Sequence, residues 1–261
     1  MRLYAKNSSV VYLALLYAFG WQRVTLPAVA PTFFAALAKM RGVDIELVDV
    51  GLDYSNNAMV THNFFESFKP TSQIVFQNWG EPVGEARVWV MKYKNCVAIE
   101  CDEQIGQKVE LFLNGGVKKG RLWNYDLVDI GIKNLRPPCE VCAELVEKSN
   151  EIVEYLNEQF ASNPYFDTLP LGTKTIKSEY PILLKPLLYC PKEDIYQELK
   201  QNGIDVKVRF KPLYRTTLLA GEYLPTSEEL YKAVLVLPLS KDIVGSLMEV
   251  LEKYRYRGCS F

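Results

Sequence analysis

Apolar residues recur at strand and helix spacing along most of the chain. In the first fifty residues, alternation marks strands, and spacing of three to four residues marks helices. Gly20 and Gly42 are suited to end two helices, and Ser8 or Ser9 is suited to cap the first. The pattern predicts a strand or chain entry at Arg2–Ala5, a helix over Val10–Phe19, a strand at Arg23–Leu26 stopped by Pro27, a helix over Thr32–Met40 and a buried strand at Ile45–Val50.

The middle of the chain continues the alternation of strands and helices. The predicted elements are a short helix at Phe64–Phe68 and strands at Gln73–Gln77, Val88–Met91 and Cys96–Glu100. Strands that alternate with helices favour parallel pairing through right-handed crossovers. We therefore predict an α/β protein with a mostly parallel sheet.

A long helix and a smaller α/β unit are predicted next. Pro137-Pro138 opens a helix from about Cys139 to Phe160, and Asn163-Pro164 ends it. Beyond it, strands are predicted near Tyr180–Leu188, Val206–Phe210 and Val234–Leu237, and helices near Lys192–Gln201, Ser227–Lys232 and Asp242–Tyr254. We predict two domains, residues 1–162 and 163–261, with the long helix as the connector.

The composition argues against several classes of function. The 261 residues carry a formal net charge of −1, so neither nucleic acid nor an anionic membrane is an expected partner. No secretory leader is recognisable and the apolar run Val10–Phe19 is too short to span a bilayer, so we expect a cytoplasmic protein. Cys139-x-x-Cys142 lacks a second pair, and the single histidine is His62, so no metal site is predicted.

The most specific signal lies between Gly203 and Leu239. A helix end at Gly203 is followed by an alternating strand, then by Pro225 at the head of a helix with Ser227 and Glu228 near its first turn. An apolar strand stopped by Pro238 closes the segment. This order resembles the C-terminal domain of the DegT/StrS type of sugar aminotransferases, which use pyridoxal phosphate (PLP). The resemblance implies a PLP-transferase-like three-layer α/β/α sandwich followed by a small C-terminal α/β domain.

The N-terminal half is similar to the same family. Asn7-Ser8-Ser9 stands where the family has a small-residue turn that holds the cofactor phosphate at a helix N-terminus. Gly131 to Arg136 resembles the family's Gly-x-Asn-x-Arg turn, which reaches towards the partner subunit, with one residue added. The resemblance thus implies Ser8, Ser9 and Asn134 as cofactor contacts. It also implies a homodimer, or a heterodimer with a full-length relative.

PLP chemistry further needs a carboxylate at the pyridine nitrogen and a group stacked on the ring. By resemblance, the carboxylate position falls on Cys101, and Asp102 is the neighbouring candidate for a cofactor contact. A shift of one residue along a strand turns the side chain to the opposite face, so Asp102 is not an automatic substitute. The stacking aromatic of the family falls on Pro31.

A lysine amine must also bind the cofactor covalently. In the family this lysine follows the end of a strand. In this chain Val109–Leu113 stands in the place of that strand end and is followed by a glycine-rich segment that contains Lys118 and Lys119, the two candidates for the catalytic lysine. Adjacent lysines beside glycines are typical of an exposed turn, which does not lower a lysine pKa as burial does.

These residues leave three functions open. The first is a non-catalytic binding or partner subunit that has kept the fold, holds no cofactor and has a sugar nucleotide as its possible ligand. The second is a working PLP-dependent sugar aminotransferase whose lysine is Lys118 or Lys119. The third is a PLP-independent enzyme that uses the same cleft, for which no specific acid–base set is found.

Overall fold

The computed structural model describes residues 1–49, 74–77, 87–92, 96–115, 117–118, 121–122, 141–168, 171, 177–185, 192–208, 211–219, 221 and 223–257. The predicted helix at Phe64–Phe68, the Pro137-Pro138 pair, Lys119 and Asn134 lie outside the described residues.

The first half of the chain forms strands and helices close to the predicted ones. They are β1 (Arg2–Ala5), α1 (Ser8–Phe19), β2 (Arg23–Pro27), α2 (Thr32–Met40), β3 (Asp44–Val48), β4 (Ile74–Gln77), β5 (Val88–Lys92), β6 (Val97–Cys101), α3 (Glu103–Leu113), β7 (Val117–Lys118) and β8 (Arg121–Leu122). Gly20 and Gly42 have φ angles of 64° and 68°, so both helix stops are confirmed.

The second half follows the predicted order in part: β9 was not predicted, and no strand lies at the described residues of Val206–Phe210. It contains α4 (Val141–Gln159), β9 (Phe166–Thr168), β10 (Glu179–Leu184), α5 (Lys192–Gln201), a single 3₁₀ turn (Leu213–Arg215), α6 (Pro225–Ala233), β11 (Val234–Pro238) and α7 (Ile243–Arg257). Strand β10 lies between β9 and β11 and is antiparallel to both.

Among the described strands the sheets are mixed rather than mostly parallel. The order of the larger sheet is β1-β6-β5-β4, and only β4 and β5 are parallel within it. Strand β6 is antiparallel to β1 and to β5. Residues 93–96 alone separate β5 from β6, and a connection this short can join only antiparallel neighbours. The separate pair of β2 and β3 is parallel, as predicted.

Three apolar clusters lie among the described residues, and the smallest joins Val29, after β2, to Leu183 of β10, Leu230 of α6 and Val234 and Val236 of β11. The other two are larger. The first joins β1, α1, β2, α2, β5, β6 and α3, which we call the N-terminal unit. The second joins α4, β9, β10, α5, β11 and α7, which we call the C-terminal unit. Helix α4 contributes Val153 and Leu156 to the second cluster, and Phe160 directly after it belongs there too, so the helix packs within the C-terminal unit. The predicted domain limits at residue 162 stay a prediction.

Three local expectations are wrong. The segment Val109–Leu113 is the end of helix α3 and not a strand, because Ile105, Val109 and Phe112 are spaced to face one side of a helix. Residues Val206–Phe210 do not form a strand where described, since only Lys207 pairs, with Val236. Strand β3 is exposed or half-buried along its length instead of buried.

Among the described residues, no helix is both long and apolar enough to cross a bilayer.

Candidate functional site at the junction of the two units

The N-terminus of α1 is the first part of the candidate site. Asn7 caps this helix, because its side-chain oxygen accepts hydrogen bonds from the Val10 N–H at 3.0 Å and from the Ser9 hydroxyl at 2.7 Å. The cap is therefore Asn7 and not the predicted Ser8 or Ser9. Ser8 and Ser9 form the first turn, which contains no acidic residue. Such a turn can bind an anion through its N–H groups and hydroxyls.

The N-terminus of α2 lies beside that of α1. Tyr12, in the second turn of α1, packs edge-on against Phe34 at a centroid distance of 4.7 Å and also contacts Phe33 at 6.5 Å. Helix α2 starts just after β2, and Asp49 follows the neighbouring parallel strand β3. One end of the N-terminal unit, which we call its carboxyl end, thus carries the starts of both helices and Asp49. Ligands of α/β proteins commonly bind at this end.

The C-terminal unit covers the carboxyl end through two sets of hydrogen bonds. The Leu213 N–H donates to the Ala28 carbonyl oxygen at 2.7 Å. The Asp49 carboxylate accepts the Thr226 N–H at 3.0 Å and both the N–H and the hydroxyl of Ser227 at 2.6 Å each. Asp49 therefore caps helix α6, whose own preceding residue, Leu224, provides no side-chain cap.

A buried carboxylate lies in the first turn of the same helix. Glu228 is 1% exposed, accepts the Tyr214 hydroxyl at 2.8 Å and forms an ion pair with Arg215. Burial, followed by the hydrogen bond to Glu228, raises the pKa of Tyr214 to about 12. The phenol therefore stays protonated at neutral pH and acts as a donor to Glu228.

Asp102 lies at the other end of the N-terminal unit. In the β1–β6 register, Ala5 pairs with Val97 and Arg2 pairs with Glu100, so Asp102 follows β6 beside the start of β1. The α1 N-terminus follows the end of β1. About 10 Å of strand separates these two ends before the connecting residues are added. The structure does not bring Asp102 together with Ser8 and Ser9.

The Asp102 carboxylate is engaged in local structure. It caps α3 by accepting the Ile105 N–H at 2.8 Å, and it forms an ion pair with Arg87 at 3.0 Å. The Ile105 N–H and, after it, Arg87 hold the pKa of Asp102 below its ordinary value. Its neighbour Cys101 is buried, and burial raises the pKa of this thiol, so Cys101 is neutral and cannot replace a carboxylate.

Of the two lysine candidates, Lys118 is described by its backbone alone. It ends the short strand β7 and pairs with Arg121 of β8. The preceding element is helix α3, so Lys118 does not follow a strand end as a catalytic lysine of the family would.

The described residues fit only part of PLP. The first turn of α1 suits a phosphate, because it offers N–H groups, two hydroxyls and no acidic side chain. A pyridine nitrogen requires a carboxylate nearby. Asp102 is at the opposite end, and both Asp49 oxygens accept hydrogen bonds from α6. Within the part of the chain that is described, no group of three or more His, Cys, Asp or Glu side chains could hold a metal ion.

The link between Asp49 and α6 was missed from the sequence. Ser227 and Glu228 were placed near a helix start, but their partner Asp49 is separated from Ser227 by 178 positions. Neither periodicity nor local cap rules indicate a partner so distant. The only available signal is that Pro225 opens a helix without Ser, Thr, Asp or Asn immediately before it.

Comparison with known proteins agrees with the fold and with the resemblance. Residues 102–253, more than half of the chain, match the DegT/DnrJ/EryC1/StrS aminotransferase family. The chain belongs to this family. A UDP-4-amino-4,6-dideoxy-N-acetyl-beta-L-altrosamine transaminase of Campylobacter jejuni is 30% identical over 194 residues, which cover 65% of this chain and 51% of that protein. The chain thus spans about half the length of the curated relatives it matches.

Solved structures show the same fold at low identity. The Helicobacter pylori aminotransferase PseC, involved in the biosynthesis of pseudoaminic acid, matches 98% of this chain and 87% of its own with a TM-score of 0.69 and 16% identity. The E. coli GDP-4-keto-6-deoxy-D-mannose-3-dehydratase with bound hydrated PLP matches 96% of this chain and 87% of its own, with a TM-score of 0.66 and 13% identity. A transaminase and a dehydratase thus share this architecture, so the fold alone does not specify the reaction.

Proposed function

We propose that this chain is a non-catalytic member of the sugar aminotransferase family that acts as a binding or partner subunit. The position of Asp102 is the observation that supports this most strongly. Its carboxylate caps α3 and pairs with Arg87. Both contacts lie at the end of the N-terminal unit opposite to the N-terminus of α1. A cofactor whose phosphate binds at the N-terminus of α1 would lack the carboxylate that PLP chemistry requires.

The carboxyl end remains suited to an anionic ligand. Ser8 and Ser9 lie in a helix N-terminal turn without acidic residues, and the junction of two units is a common place for ligand binding. The curated relatives are named as transaminases of a UDP-linked sugar. A sugar nucleotide is therefore our proposed ligand, bound through its phosphates and not chemically changed.

An absorption spectrum with added PLP tests the absence of cofactor. The purified protein is incubated with PLP and dialysed, with a full-length relative treated in parallel as the positive control. We expect no peak near roughly 410–430 nm, where a covalent PLP–lysine adduct absorbs. A peak at this position that survives dialysis would overturn the proposal.

The second candidate is an active PLP-dependent sugar aminotransferase with its lysine at Lys118 or Lys119. The match of residues 102–253 to the family and the names of its relatives favour this candidate. The reaction would move an amino group from an amino acid to a keto-sugar nucleotide. Borohydride reduction of the PLP-treated protein, followed by peptide mapping, tests it. Labelling of Lys118 or Lys119 supports this candidate, whereas an unlabelled protein excludes it.

We also propose that the chain forms a homodimer, or a heterodimer with a full-length relative. The similarity of Gly131 to Arg136 to the family turn that reaches the partner subunit supports this. Light scattering should give twice the mass of the 29.8 kDa chain at low micromolar concentration. A monomer mass would exclude the homodimer, and co-purification with a full-length relative then tests the heterodimer.

A further inference from the structure

One segment leaves the C-terminal unit, lies on the carboxyl end of the N-terminal unit and returns into α6. We call residues 211–219, 221 and 223–227 the strap. Leu213, near its start, is 0% exposed and belongs to the apolar cluster of the N-terminal unit. Ser227, at its end, is also 0% exposed. None of the described residues from Tyr214 to Thr226 is buried.

The two ends of the strap are held by different forces. At the first end, the buried side chain of Leu213 and its N–H bond to Ala28 combine apolar burial with a backbone hydrogen bond. Between the ends, the half-buried side chain of Leu219 packs against the same apolar cluster, and the exposed side chain of Lys39 donates a hydrogen bond to the Leu218 carbonyl oxygen. The second end has Asp49 as its attachment to β3.

Asp49 is well suited to fix that end. Two carboxylate oxygens accept three donors, and the charge lies at the helix N-terminus, where the aligned peptide dipoles favour an anion. A charged acceptor gives stronger hydrogen bonds than a neutral one. The strap has few buried side chains between Leu213 and Ser227. Apart from the bonds to Asp49, it therefore has few contacts that resist local opening.

We propose that Asp49 controls the opening of the strap: while its carboxylate caps α6 the strap covers the carboxyl end of β2 and β3, and loss of the cap releases the strap from Tyr214 to Ser227. Leu213 remains in the core as the fixed end. Tyr214 and Arg215 lie on the strap and bind Glu228, so opening also loosens the contacts of this buried carboxylate. The device acts in the protein without any ligand and does not depend on the proposed function.

Hydrogen exchange measured by mass spectrometry on the purified full chain, without PLP, tests this proposal. In Asp49→Ala, which removes both acceptor oxygens, the amides of residues 214–219 and 223–229 should exchange about tenfold faster, which is the expected size for a lost helix cap. Peptides from α1, β11 and α7 should keep their exchange rates. Asp44→Ala is the matched control, since Asp44 is an exposed carboxylate at the start of β3, the strand that Asp49 follows.

A milder variant keeps the test decisive if Asp49→Ala does not fold. Ser227→Ala removes one of the three donors and leaves both N–H bonds to Asp49, so a smaller increase confined to the same peptides is expected. Exchange in the strap of Asp49→Ala that matches the Asp44→Ala control overturns the proposal. Faster exchange of equal size in all peptides also overturns it, because that result indicates global destabilisation and not opening of the strap.

Discussion

The ammonium group of Lys192 lies 4.0 Å from the centre of the Tyr231 ring and donates a hydrogen bond to the Tyr231 carbonyl oxygen. Lys192 is only 4% exposed. Burial lowers its pKa to about 8, although Glu193 and Glu228 partly oppose this effect. The cation is therefore held by an aromatic face and a carbonyl instead of by water.

This burial predicts a pH dependence of stability. The folded pKa is near 8 and the ordinary value is 10.5, so the unfolded chain binds more protons between these pH values. The free energy of unfolding should therefore rise with pH across this window. Relative to Lys192→Met, we expect the free energy of unfolding of the wild type to rise by about 3 kcal/mol between pH 7 and pH 10.5.

Urea melts at several pH values measure this difference. Lys232→Met is the control, because Lys232 is exposed on the neighbouring helix α6. The difference between wild type and this control variant should not change with pH in the same window. If the difference in unfolding free energy between wild type and Lys192→Met does not change with pH, the Lys192 amine is solvated in the folded protein.

The buried carboxylate of Glu228 gives a second prediction. Glu228→Gln keeps the shape of the side chain but removes the charge that Tyr214 and Arg215 bind. We expect a loss of about 1–2 kcal/mol of unfolding free energy, since hydrogen bonds to charged groups are stronger than neutral ones. Glu229→Gln, at the exposed next position, should stay within about 0.5 kcal/mol. Equal effects of the two variants in denaturant melts would contradict the burial of Glu228.

Two glycines should respond to alanine in opposite directions. Gly203 follows α5 with a φ of 80° and has open space around a built Cβ, so Gly203→Ala costs backbone strain alone, about 1 kcal/mol. Gly245 lies inside α7, also in open space, and Gly245→Ala should stabilise by about 0.5–1 kcal/mol. Thermal melts of both variants check the signs. A stabilised Gly203→Ala would exclude the left-handed helix end.

Local signals in the sequence predicted most elements of the fold. The predicted limits of α5, Lys192–Gln201, coincide with the structure because charged residues flank an apolar stripe and Gly203 ends the helix. Strand β11 was predicted as an apolar strand stopped by Pro238, and in the structure Val234 to Leu237 are each at most 2% exposed. The predicted parallel direction was wrong for β6, although the four residues between the predicted strands Val88–Met91 and Cys96–Glu100 are too few for a parallel crossover between neighbours.

The candidate site depended on distant contacts, so the sequence predicted less of it. The position of Asp102 next to the family carboxylate suggested a cofactor contact, whereas the β1–β6 register places it away from the N-terminus of α1. The helical spacing of Ile105, Val109 and Phe112 was present in the sequence but was interpreted through the family pattern as a strand end. Here periodicity was the better guide, because it reports the local packing of this chain.

Leu237 and the two candidate lysines provide the last prediction. Leu237 is 0% exposed and pairs with Tyr180 across the sheet of the C-terminal unit. Leu237→Ala should cost about 2–5 kcal/mol through lost burial and a residual cavity. Lys118→Ala and Lys119→Ala should each stay within about 0.5 kcal/mol if both side chains are solvated.

Denaturant melts of the three variants, measured without PLP, decide between these expectations. The lysine variants form the control for Leu237→Ala, because a solvated side chain leaves neither a cavity nor an unpaired charge when it is truncated. A large loss of stability in Lys118→Ala or Lys119→Ala would show that the lysine is packed inside the protein. Burial of that kind is what lowers the pKa of a catalytic lysine, so this result would favour the active aminotransferase over the non-catalytic subunit.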